Sequence, residues 1–197
     1  MSEAPPRATA ARAIDVFYCT NAVNYTIAME GLLQGGPGSP RRAIVLYKGR
    51  RYRPQARAGV WAWRVSYPSF VALRLLARLW PMGTLYVPHH RIPSGLRALV
   101  PRMARMAFID DGMDTLREKP SNFDLERLPA GADYFTFRDY DDLPAWVRQL
   151  TVHRVCDLKQ MVDLSQKPAF DLTGIDHVFF ESRSEEHTSE LQSLAYL

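Results

Sequence analysis

Two adjacent carboxylates close an apolar run in Met106-Ala107-Phe108-Ile109-Asp110-Asp111-Gly112. Neighbouring carboxylates repel, so one of the pair can be held with a raised pKa, as a general base requires. The same heptapeptide also reads as a buried strand opening into a turn, where Asp and Gly serve backbone geometry alone. Either way the pair stands at the carboxyl end of a strand, the place where open α/β sheets bind ligands. Further polar residues end other predicted strands: Asn21 and Asn24 after the first, His89 and His90 after the third. The asparagines sit at a helix N-terminus, where backbone donors favour anions, and Asn21 also suits capping. The histidines can meet an acceptor or a phosphate, or serve their loop. Asp139, Asp141 and Asp142 read as a solvated acidic loop, since nothing near them completes a metal-ligand set. No metal and no cofactor is expected.

These residues need a scaffold, and the pattern supplies one. Ile14 to Cys19 is a short apolar run rich in β-formers, hence a strand. Thr20 or Asn21 caps a helix bearing Val23 and Ile27, and the Gly-Pro run from Gly35 to Pro40 breaks it. Ala43 to Tyr47 is the second strand, and residues 50 to 58 form a basic, irregular connection. Tyr67-Pro68-Ser69 opens a helix with Phe70, Leu73, Leu76 and Trp80 at helical spacing. Thr84 to Val87 is the third strand; Ser94 caps a helical stretch that Pro101 shortens or kinks. Ala107 to Ile109 is the fourth strand. Tyr134 to Phe137 and His177 to Phe180 read as later strands, and Pro144 to Leu150 as a helix. Strands alternating with helices predict an α/β fold, a Rossmann-like parallel sheet with flanking helices.

With 197 residues, 47% hydrophobic and 23% charged, the chain suits one soluble globular domain. Residues 1–13 read as a disordered leader and 14–182 as the domain. Residues 183–193, Arg-Ser-Glu-Glu-His-Thr-Ser-Glu-Leu-Gln-Ser, read as translated sequencing-adapter DNA, so 183–197 is set aside as an artefactual tail. That tail carries one Arg and three Glu, so without it the net charge of +4 rises to +6. The excess concentrates between Arg41 and Arg64, which holds Arg50, Arg51, Arg53 and Arg57 and no acid. Such a stretch fits an anionic glycan or the inner face of a membrane. Nucleic acid is not expected, because no zinc-finger spacing, RNP-like motif or heptad repeat accompanies the charge. Trp61 and Trp63 alternate within it and can stack on sugar, rest at a membrane interface or pack in the core. Cys19 and Cys156 suggest neither a disulfide framework nor a zinc site, and the polar N-terminus has no signal-peptide core. A cytoplasmic protein with reduced thiols is expected.

The first strand lacks the glycine fingerprint of a dinucleotide site, and there is no P-loop. The acids of Asp110-Asp111-Gly112-Met113-Asp114-Thr115 miss the Asp-x-Asp-x-Thr spacing of haloacid-dehalogenase-like phosphatases. Asp15 to Ala28, together with Phe108-Ile109-Asp110-Asp111-Gly112, resembles bacterial sialyltransferases of the capsule and lipooligosaccharide type. The likeness spans about residues 14–115, and the acidic turn, similar to their Asp/Glu-Asp/Glu-Gly, is its motif.

That resemblance implies a GT-B glycosyltransferase of two Rossmann-like domains facing a cleft. The N-terminal domain holds the saccharide acceptor and the base; the other holds a CMP-sugar donor. An acid of the turn deprotonates an acceptor hydroxyl, which attacks the sugar with inversion. Carried over, Asp110 or Asp111 is the base, with Asp110 preferred, and the other orients the turn or a neighbouring helix. Gly112 lets the backbone pass close to the sugar. The group's donor-binding His-Pro is missing: His153 precedes Arg154 and His177 precedes Val178. The expectation is therefore an acceptor-side N-terminal half, inactive by itself. The alternatives are a non-catalytic Rossmann-like binding module and a GT-B transferase using another nucleotide sugar.

Overall fold

The computed structural model describes residues 13–33, 42–48, 58–112, 114–128 and 131–155. All of them fall within one compact unit, Met1–Ser165. The basic segment around Arg50, Cys156, the strand expected at His177 to Phe180 and the tail lie outside the described residues.

The described residues form a parallel sheet of seven strands in the order β3-β2-β1-β4-β5-β6-β7. The strands are β1 (Ile14–Cys19), β2 (Ala43–Tyr47), β3 (Val60–Arg64), β4 (Met82–Val87), β5 (Met103–Ile109), β6 (Asp133–Thr136) and β7 (Thr151–Arg154). Helix α1 (Ala22–Thr26) continues into a π-helical turn, Ile27–Leu32; α2 is Tyr67–Leu79, α3 Ser94–Arg97 and α4 Ala145–Arg148. This is the Rossmann-like α/β architecture that the sequence predicts. The first two strands run over the predicted residues, Ile14–Cys19 and Ala43–Tyr47.

Two strands escaped the sequence reading. β3 takes Trp61 and Trp63 out of the basic connection and into the sheet edge, paired in register with Ile44 and Leu46. Its Val-Trp-Ala-Trp run is rich in β-formers, but the surrounding arginines masked it. β7 pairs with β6 from Asp133↔Thr151 to Thr136↔Arg154. Its Thr-Val-His-Arg sequence carries too little apolar pattern to be read alone.

Successive strand side chains face opposite sides of the sheet. Val16, Tyr18, Leu85, Phe108 and Tyr134 join the core under α2, α3 and α4. Phe17, Cys19, Tyr86, Ala107 and Ile109 join the other core, under α1 and its π-helical turn. Phe17 and Phe108 are fully buried at the centres of the two cores, and truncating either to Ala would cost about 3–5 kcal/mol. Gly31 lets the π-helical turn approach the chain just past β7; a Cβ there would stand 2.7 Å from Val155.

The strand order reverses between β1 and β4. The carboxyl ends of strands flanking such a switch open the crevice where doubly wound sheets take ligands. Register ties those ends together, with Phe17 opposite Tyr86, Val87 opposite Phe108 and Ile109 opposite Phe135. Continuing it one to three residues sets Thr20, His89, Asp110 and Thr136 side by side.

Candidate functional site

Asparagines build the first wall. Asn21 is the N-cap of α1 in extended backbone geometry. Its side-chain oxygen accepts from the Asn24 amide N–H at 3.1 Å, and the Asn24 oxygen accepts in turn from the N–H groups of Asn21 (3.1 Å) and Thr20 (2.7 Å). This reciprocal capping box uses both amide oxygens. Each NH2 group is therefore left to donate elsewhere, and both donate to Asp111 Oδ1, at 2.8 Å from Asn21 and 3.0 Å from Asn24. Asn24 is fully buried.

Asp110 and Asp111 follow the alternation of β5 and part company. Asp110 points to the face of Phe108 and is sealed from solvent. Its Oδ1 accepts from Gly112 N (2.8 Å) and Thr115 Oγ1 (2.9 Å); its Oδ2 accepts from Thr136 Oγ1 (2.6 Å) and Arg138 Nε (3.1 Å). Four donors fill the acceptor positions a carboxylate offers. Thr115 has one proton, given to Asp110, so the Tyr134 hydroxyl 2.7 Å away donates to Thr115. Arg138 also donates to the Gly112 carbonyl at 3.2 Å, stapling the turn. Gly112 holds φ +71°, a conformation that favours glycine, and a Cβ there would meet Val23 of α1 at 3.4 Å.

Asp111 points to the face of α1. Oδ1 takes both asparagine bonds; Oδ2 faces His89 Nε2 at 3.8 Å and accepts no hydrogen bond among the described residues. Among the described residues the sealed atoms without partners are His89 Nδ1, His90 Nε2 and Asp114 Oδ2, and the Asp111 side chain keeps 9% of its surface exposed. Burial pushes the Asp111 carboxyl up to about 7, the Asp114 charge adds to this, and the Asn21 bond pulls it partly back. Burial lowers His89 to about 4 against the pull of Asp114. His89 is thus a neutral ring near pH 7, and its approach to Asp111 is not an ion pair.

The predicted residues Asp111, Gly112, Asn21, Asn24 and His89 converge here. His90 does not join them. Its Nδ1 accepts from Asp124 N at 3.1 Å, and its ring packs against Phe108 and Phe123, 5.1 and 5.7 Å between centroids. Asp110, the acid the sequence reading preferred as base, is sealed and fully bonded, so it has no free position for an incoming proton. Sequence reasoning did not single out Asp114, Thr115, Thr136 or Arg138 as part of this site. Asp114 and Thr115 lie three and four residues beyond Asp111, a spacing that could have flagged them. Thr136 and Arg138 arrive only through the β5–β6 pairing.

The arrangement offers one oxygen that can take a proton near neutrality, on a carboxylate held rigidly by two amides. Among the described residues no cluster of three or more His, Cys, Asp or Glu could hold a metal ion. Comparison with known proteins finds no family model, no curated protein and no solved structure that matches this chain.

Proposed function

We propose that this domain is the acceptor side of an inverting, sialyltransferase-like glycosyltransferase, with Asp111 as its general base. Asp111 Oδ2 takes the proton of a saccharide hydroxyl. The hydroxyl oxygen attacks the anomeric carbon of a CMP-activated acidic sugar, and the bond to phosphate breaks with its electron pair leaving on CMP. Asn21 and Asn24 aim the carboxylate, and neutral His89 lies beside Oδ2, within reach of an incoming hydroxyl. The observation that carries the reading is the asymmetry of Asp111: one oxygen tethered, the other free, on a group raised to about 7 at the strand-order switch. A base tuned to working pH combines the right protonation state with driving force.

The test follows the Asp111 carboxyl by carbon-13 NMR while saccharide acceptors and a CMP-sugar are added, with CMP release read in parallel. Expected are a titration midpoint near 7, a shift of that signal on acceptor binding, and loss of both in Asp111→Asn. Where CMP is released, Asp111→Asn should slow release by about a hundred- to ten-thousand-fold. A midpoint in the ordinary carboxylate range, unmoved by any saccharide, would discard the reading. It would leave a non-catalytic Rossmann-like module whose Asn-Asp contacts only fasten α1 to the turn, which the two amide bonds also support.

A further inference from the structure

The outward side of α2 carries Tyr67, Val71, Leu75 and Leu79 in one row, four residues apart. Their exposures are 81%, 38%, 52% and 73%, although the helix is already anchored through Leu73 and Ala77 on its inner side. Over twelve residues this row runs about 18 Å. The neighbouring row on one side holds Arg74 and Arg78, both exposed and without a carboxylate partner among the described residues. The row on the other side, Pro68, Ala72, Leu76 and Trp80, carries no charge. Its Leu76 and Trp80 line a cleft of about 440 Å³ that also has Trp61, Trp63 and Arg42 among its walls. Trp61 and Trp80 are each nearly half exposed. A contiguous apolar strip of this kind on a water-facing helix marks a contact surface.

Charge identifies the contact. From residue 31 to residue 109 the chain has no Asp or Glu and fourteen Lys or Arg. A second copy docked about a two-fold axis would press this cationic rim against itself. We infer that the α2 face is a docking surface for an anionic bilayer: the apolar row enters the interface, tryptophan and tyrosine sit at headgroup level, and Arg74 and Arg78 meet lipid phosphates. The helix would lie in the surface plane; no helix among the described residues is long and apolar enough to cross a membrane. The inference does not depend on the glycosyl-transfer reading.

The experiment is flotation with vesicles of phosphatidylcholine containing about one-third phosphatidylglycerol, compared with phosphatidylcholine alone. Binding to the anionic vesicles should be about tenfold stronger, weaken with added salt, and shift tryptophan emission to the blue. Leu75→Glu with Leu79→Glu should weaken it by about tenfold or more. Arg74→Gln with Arg78→Gln should weaken it several-fold and flatten its salt dependence. Both pairs are exposed, so circular dichroism and melting temperature should stay at wild-type values. Equal binding to neutral and anionic vesicles, or undiminished binding by the Leu75/Leu79 variant, would overturn the inference. So would a dimer, split by that variant, that binds no vesicle.

Discussion

Asp110 and Asp111 are neighbours of identical chemistry with opposite surroundings. Asp110 is gripped by a backbone N–H, two hydroxyls and a guanidinium. Asp111 has two amides on one oxygen and a second oxygen that accepts no hydrogen bond among the described residues and lies beside a neutral imidazole. One residue of strand alternation sends the first into the polar interior of the turn and the second toward the strand-order switch. The comparison teaches that a buried carboxylate surrounded by donors holds structure, while one denied a cation is poised for protons.

The largest effect should come from the gripped partner. Asp110→Ala takes the anion from the half-buried Arg138 and leaves the buried hydroxyls of Thr115 and Thr136 without their acceptor, and stability in urea unfolding should fall by about 3–5 kcal/mol. If Asp111→Ala proves equally costly, the contrast between the two sites fails. Asp111→Asn should do the reverse. A folded pKa raised from 3.8 to about 7 means stability that is complete below the lower value and lost as pH rises through the upper one. Removing the charge should therefore stabilise the protein above pH 7, on the order of 1–3 kcal/mol, while taking away the base that the proposed reaction needs. Asn24→Ala should cost about 1–3 kcal/mol, since it frees buried polar groups, and should move the Asp111 titration, followed by NMR, further upward.

The subtlest test concerns slopes. His89 is lowered from 6.5 to about 4, so its burial as a neutral ring makes stability rise with pH across that window. Asp111 makes it fall over most of the same range, and the wild type should be nearly flat. Asp111→Asn should unmask a rise and His89→Gln a fall, each at most about 1.4 kcal/mol per pH unit. Matching slopes in both variants would show that the two groups do not titrate as described.

Much of this fold could be read from pattern. Runs of β-formers marked β1, β2, β4 and β5, because buried parallel strands are apolar throughout. The acidic turn was legible because Asp-Asp-Gly interrupts such a run abruptly. β3 and β7 were not, since one sits among arginines and the other is short and polar. Asn21 and Asn24 were legible as a helix start, yet nothing local says that their amides reach a carboxylate 90 and 87 residues away.

Local sequence alone determined the alternation of strands and helices, the glycine turn and the presence of two acids at a strand end, because these depend on side-chain period and backbone preference. Tertiary structure decided which acid is free. That choice depends on solvent access and on donors brought from β6 and α1, and sheet register, not proximity in the chain, sets both.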